Sequence, residues 1–163
     1  MMRLDERDLE ILVVLSREGR ISKSDLAKRI NLSLSPCWDR LKKLEDAGLI
    51  EGYHAKFNLK KLAPHVVVFM SAELGDHTAA SFRGFEHAVQ DYDEIIGCWA
   101  LGGGFDYLLQ IVTRDIVAYQ HLVDQMLEAD IGLAKYYTYV VTKAVKESNA
   151  PPFAALMAGT RAK

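Results

Sequence analysis

Apolar positions recur at helical spacing through the first third of the chain and at strand spacing beyond it. Leu9, Ile11, Leu12, Val14 and Leu15 make one broad apolar face behind Asp5, and Gly19 ends it, which predicts a first helix. The segment Ile21-Ser22-Lys23-Ser24-Asp25-Leu26 repeats the start signal, with Ser22 and Asp25 as a capping box, and predicts a short second helix to Ile30. After Asn31-Leu32-Ser33, a third helix is expected from Ser33 or Ser35, with Pro36 tolerated in its first turn and Gly48 as its stop. Cys37, Leu41 and Leu44 form its inward face; Ser35, Trp38, Asp39, Arg40, Lys42 and Lys43 form its outward face.

The period changes at Val66. "VVVFMSAEL", "IIGCWAL", "FDYLLQIV" and "AKYYTYVVTKAV" are β-branched and aromatic runs that predict four strands. Phe82, Phe85 and Val89 mark a helix between the first two strands. Ile116, Tyr119, Leu122, Val123 and Met126, behind Asp115 as cap, mark another before the last strand. The order is β-α-β-β-α-β, an α+β ferredoxin-like sandwich with both helices on one face of an antiparallel sheet. The other face is too apolar to stand in water, so pairing with a second copy is expected.

The domain reading is therefore 1–50 for the helical domain, 51–64 for a hinge strand and linker, and 65–148 for the βαββαβ domain. Residues 149–163 read as a flexible tail, with Phe153 docking on a neighbour.

Composition narrows the class. Of 163 residues, 50% are apolar and 26% charged, the balance of a soluble globular protein. No run approaches the roughly 18 apolar residues of a membrane span. The opening "MMRLDERDLEIL" lacks the apolar block of a secretory signal, so a cytoplasmic protein without a membrane partner is expected. Cys37 and Cys98 are too few for a disulfide framework, and the histidines at 54, 65, 77, 87 and 121 show no metal-ligand spacing, so neither metal nor cofactor is expected. Asp91, Asp93 and Glu94 read as a solvated loop, and no nucleophile and base stand at motif spacing, which disfavours an enzyme.

The net charge of −2 conceals an asymmetry. Residues 19–61 hold ten Lys/Arg against five acids, whereas residues 62–163 hold seven against twelve. Three short helices with a tight turn before a basic third one match the helix-turn-helix, whose second motif helix enters the DNA major groove. Ser22, Ser33, Ser35, Trp38, Asp39, Arg40, Lys42 and Lys43 are the candidate DNA-binding residues. A three-helix bundle with a solvated charged face is the plainer alternative.

"ALGGGFDYLLQI" is the second candidate site. Gly102-Gly103-Gly104 is followed by neither the lysine of a phosphate-binding loop nor the helix of a dinucleotide site. Two readings stay open on local sequence: a hairpin whose glycines take positive φ, or a nest of backbone amides for a carboxylate with Asp106 for an ammonium.

Four stretches resemble the Lrp/AsnC, or feast/famine, family of transcriptional regulators: "LDERDLEILVVLSREGRIS", "LAKRINLSLSPCWDRLKKLEDAGLIEGY", "GGFDYLL" and "YYTYVVTKAVKES", over residues 3–148. The resemblance implies a winged-type helix-turn-helix domain and a βαββαβ domain that senses an effector, an amino acid or derivative. It implies homodimers that assemble to tetramers or octamers on double-stranded DNA. Ser33, Ser35 and Arg40 match recognition-helix positions, Lys42 and Lys43 its basic pair, Gly103 and Asp106 the G-x-x-D ends, and Thr138 the threonine of the last strand. Gly102, Gly104 and Phe105 complete the implied effector site, although the family often has Thr or Ser at the first of these and an acid at the second. A weaker likeness, in "CWALGGGFDYLL" and "YYTYVVTKAVK", is to regulators of ectoine or diamino-acid breakdown. An architectural, nucleoid-type DNA protein without effector response is the alternative function.

Overall fold

A computed structural model describes residues 3–148 and 150–158. In chain order the elements are α1 (Glu6–Arg17), α2 (Lys23–Arg29), α3 (Leu34–Asp46), α4 (Leu59–Leu62), β1 (Val66–Leu74), α5 (Ala79–Ala88), β2 (Ile95–Ala100), β3 (Tyr107–Thr113), α6 (Ile116–Glu128), β4 (Leu133–Val140) and α7 (Phe153–Met157). They form two units: one runs to Lys56 and resumes at Lys146, and the other is Phe57–Val145.

In the first unit, Asp5 accepts from the Asp8 backbone N–H and Asp8 accepts from that of Asp5, both at 3.0 Å, a reciprocal box that fixes the start of α1. The box expected at α2 is one-sided. Ser22 accepts from the Asp25 N–H at 3.1 Å, but the Asp25 carboxylate takes the Ser22 hydroxyl, at 2.6 Å, in place of its backbone. Asn31, at φ 53, makes the turn into α3, and Gly48, at φ 68, follows its end. Ile11, Leu26, Ile30, Cys37, Leu41 and Leu44 are buried together, so the inward face read from the sequence is the one that packs.

Two expectations change here. Residues 51–58 carry no strand: a lone extended segment has no ladder partner among the described residues, and only the helical turn α4 follows. Phe153, expected to dock on a neighbour, packs against the helical core of its own chain, so residues 150–158 belong to the first unit. Residues 149 and 159–163 of the expected tail lie outside the described residues.

The second unit is a four-stranded sheet in the order β2-β3-β1-β4, antiparallel throughout. Met70 lies opposite Leu109 on one side and Thr138 on the other. Period-two alternation puts Val68, Met70, Ala72 and Leu74 of β1 on the buried face with Leu109 and Ile111 of β3. They pack with Phe85 of α5 and with Tyr119, Leu122, Val123 and Met126 of α6. Ile116, expected on that face, opens α6 and is 48% exposed. The opposite face, which carries Phe69, Trp99, Leu108, Tyr137 and Tyr139, meets neither α5 nor α6. No helix among the described residues is long and apolar enough to cross a membrane.

Candidate functional site

The outward face of α3 begins at Ser33, whose side chain makes no capping hydrogen bond, and continues through exposed Ser35, Trp38, Asp39, Lys42 and Lys43. Leu34, 55% exposed, stands in this row and escaped the polar-face reading because an apolar residue there looks like core. The Lys23 ammonium sits 3.1 Å from the centroid of the Trp38 ring. Trp38 is thus engaged from α2. Ser22, by contrast, is committed to capping through its hydrogen bonds with Asp25.

Arg40 is turned away from the outward face. Its Nη1 donates to Asp5 at 2.6 Å and to Asp8 at 2.7 Å, which ties α3 to the start of α1. These bonds hold the guanidinium proton and raise the Arg40 pKa, while the Asp8 backbone N–H, and then Arg40, keep the Asp5 carboxyl below the usual range. The Asp8 side chain is 4% exposed, and Arg40 is its ion-pair partner. Burial pushes the Cys37 thiol up, which makes it an inert member of the core.

In the second unit, the Leu101 N–H donates to the Asp106 carbonyl at 2.8 Å and closes the glycine loop, and the Asp106 N–H donates to Ala72 at 3.0 Å. The Asp106 carboxylate reaches across to β1: its Oδ2 accepts from the Leu74 N–H at 2.8 Å and lies 3.1 Å from His77 Nε2. His77 stacks on Phe82 with centroids 6.0 Å apart. Phe105 meets Tyr137 edge-on at 5.4 Å. Sequence reading missed His77, since its partner is 29 positions away.

The loop is a hairpin connection, with Ala100 of β2 opposite Tyr107 of β3, but the positive φ expected of its glycines is absent: none of Gly102, Gly103 and Gly104 takes one. The αR–αL nest is therefore not assembled in the loop as it stands. A Cβ built on any of the three meets nothing within 4 Å, whereas one on Gly97 would lie 2.5 Å from the Trp99 ring. A side chain at Gly97 would have to displace the Trp99 ring, while one in the loop would displace nothing. The N–H groups of Gly102, Gly103, Gly104 and Phe105 make no backbone hydrogen bond among the described residues.

Thr138 follows Tyr137, which meets Phe105 of the loop. It lies opposite Met70, and its hydroxyl is bonded to the Tyr119 hydroxyl at 2.6 Å. Among the described residues no group of three or more His, Cys, Asp or Glu side chains could hold a metal ion.

Residues 4–51 match a winged helix-turn-helix DNA-binding family, and residues 67–151 match the Lrp/AsnC ligand binding domain family. The chain is 50% identical to the transcriptional regulatory protein DoeX of Halomonas elongata, over 91% of this chain and 94% of that one. It is 40% identical to the leucine-responsive regulatory protein of Escherichia coli K12, over 90% and 89%. A transcriptional regulator from Neisseria meningitidis, solved as a complex with L-Met, superposes with a TM-score of 0.89 at 32% identity, over 94% of this chain and 99% of that one.

Proposed function

The chain belongs to the Lrp/AsnC family of transcriptional regulators, and from that premise we propose that an amino acid or close derivative, held at the Gly102–Asp106 loop, sets its DNA affinity or its assembly. One observation carries the site: three consecutive glycines that neither backbone geometry nor packing requires. Each costs about 0.5–1 kcal/mol against alanine where no special conformation is used. Space beside the main chain is what they provide, and close approach of a ligand uses it. The ligand's carboxylate would take the loop N–H groups, and Asp106 its ammonium, while Phe105 and Tyr137 wall one side. Thr138 would join through the hydrogen-bonding capacity its hydroxyl keeps beside Tyr119. The relatives named for leucine and solved with L-Met support the class of effector.

On the DNA side, Ser33, Ser35, Trp38, Asp39, Lys42 and Lys43 would face the major groove, with Leu34 available to a thymine methyl. Arg40 holds the helix instead. A homodimer through the uncovered sheet face, where Trp99 is 48% and Tyr139 53% exposed, would give two such helices, and higher assembly would follow from further copies. A DNA partner supports the cytoplasmic location expected from the sequence.

The test is binding of the full chain to the DNA upstream of its own coding sequence, titrated with proteinogenic and diamino acids. We expect sequence-selective binding that one amino acid shifts, and loss of the shift in Asp106→Ala with DNA binding retained. Selective binding indifferent to every compound and to Asp106→Ala would return the protein to an architectural role. Sedimentation of wild type and Trp99→Glu tests the sheet interface, which a single unchanged species would overturn.

A further inference from the structure

The cations of the helical unit sort into two groups. Arg7 pairs with Glu10 at 2.7 Å, Lys28 with Asp25 at 3.7 Å, Arg29 with Glu18 at 2.6 Å and Arg40 with Asp5 and Asp8. Arg3, Arg17, Arg20, Lys23, Lys42 and Lys43 pair with no carboxylate among the described residues, and the three lysines are the ones that α2 and α3 carry. Lys42 and Lys43 are on the outward side of α3; Lys23 is not on α3 at all.

What joins Lys23 to them is Trp38. The ammonium stands over the ring face at 3.1 Å, where the ring quadrupole attracts it. Lysine is otherwise a flexible side chain that loses much rotamer freedom when it is fixed. Here the ring restricts it before any partner arrives. An ammonium has three donors, so one side can face the ring while the others point to an acceptor beyond it. Trp38 shares the outward row of α3 with Ser35 and Lys42, three residues before it and four after, so the ring carries the Lys23 charge to the edge of the reading face.

We propose that Lys23 is a contact to the DNA phosphate backbone and that Trp38 acts as its positioning residue, so the DNA-binding face spans α2 and α3. The ligand class is the phosphodiester of duplex DNA, which an ammonium neutralises without reading sequence. Three uncommitted lysines against the single carboxylate of Asp39 leave this surface with a net positive field. The inference rests on DNA binding by the family, and the test separates the two.

The experiment measures affinity of the full chain for its upstream DNA and for an unrelated duplex, each over a series of salt concentrations. For Lys23→Met, which keeps an unbranched apolar stem, the slope of log K against log salt should become shallower by about 1 per bound protomer on both duplexes. Lys23→Arg should keep the wild-type slope. Lys23→Gln should repeat the Lys23→Met result, with melting temperatures reporting that all three variants are folded. A cycle of Lys23→Met, Trp38→Leu and the double variant should be non-additive, since the ring acts in part through the ammonium. An unchanged slope in both Lys23→Met and Lys23→Gln overturns the phosphate contact, and an additive cycle overturns the positioning by Trp38. Failure of the wild type to bind either duplex would instead remove the DNA-binding reading itself.

Discussion

Arg40 Nη1 lies 2.7 Å from the Asp8 carboxylate and 2.6 Å from that of Asp5, so α3 is fastened to α1 by a basic residue that stands, in sequence, among the candidate DNA contacts. Removing one partner of a buried pair costs more than the pair contributes, because the other charge is left without compensation. The Asp8 side chain is 4% exposed but Arg40 is 32% exposed, so the loss falls below the fully buried case. Arg40→Gln should destabilise the helical unit by about 2 kcal/mol in denaturant unfolding. Its salt slope for DNA binding should stay at the wild-type value. A slope lowered by about 1 with unchanged stability would make Arg40 a phosphate contact after all.

Tyr107 gives the second unit a limit at high pH. Its hydroxyl donates to Glu86 at 2.9 Å, and burial, with the Glu86 carboxylate beside it, pushes its pKa up to about 12. An unfolded tyrosine titrates near 10. The folded state therefore favours the neutral phenol. That stability is fully present below pH about 10 and is lost as pH rises toward about 12, by about 2–3 kcal/mol in all. Unfolding followed at pH 9 and pH 11.5 should show the decline in wild type and a smaller one in Tyr107→Phe. Equal declines would place the alkaline sensitivity elsewhere.

The elements were readable because their signals are local. Asp5, Ser22, Thr78 and Asp115 each accept from a backbone N–H three residues on, and the strand from Val66 to Leu74 shows its alternation within nine residues. What the sequence hid was pairing at a distance. Arg40 and Asp8 are 32 positions apart, and His77 and Asp106 are 29 apart, so neither pair has a spacing to recognise. Residues 51–58 misled for the opposite reason: their alternation is real, but alternation does not supply a partner strand. The glycine loop left two readings open in the sequence, a hairpin and a ligand cradle; the hairpin connection is there but without positive φ, because a run of glycines signals freedom from side chains without saying which freedom is used.

At the proposed effector site, His77 would compete with the ligand for Asp106. Both described hydrogen bonds to the carboxylate fall on Oδ2, one from the fixed Leu74 backbone and one from an imidazole that is 60% exposed. A ligand ammonium can displace the second and not the first. His77→Ala should therefore strengthen binding of the amino acid that shifts wild-type DNA binding, by a fewfold in titration calorimetry. Asp106→Ala should abolish it, and should also destabilise the second unit by about 1–3 kcal/mol, since the Leu74 N–H loses its acceptor. Weaker binding in His77→Ala would instead make the imidazole a ligand contact.

The C-terminal segment returns to the helical unit, and Phe153 is its anchor. Phe153 packs against the cluster that holds Ile11 and Ile30, while Leu9, Val13 and Val14 of α1 line an open groove of about 490 Å³ with Phe153 and Met157. A groove that size leaves α7 incompletely seated, and Phe153 is only partly buried, so its truncation should cost less than the 3–5 kcal/mol of a fully packed phenylalanine. Phe153→Ala should destabilise the helical unit by about 1–2 kcal/mol and leave the βαββαβ unit unchanged. Fluorescence of Trp38 in the first unit and Trp99 in the second, each in a variant lacking the other, can follow the two transitions separately. A shift confined to the Trp38 transition is the expected result; no shift in either would mean that the segment adds nothing to the helical core.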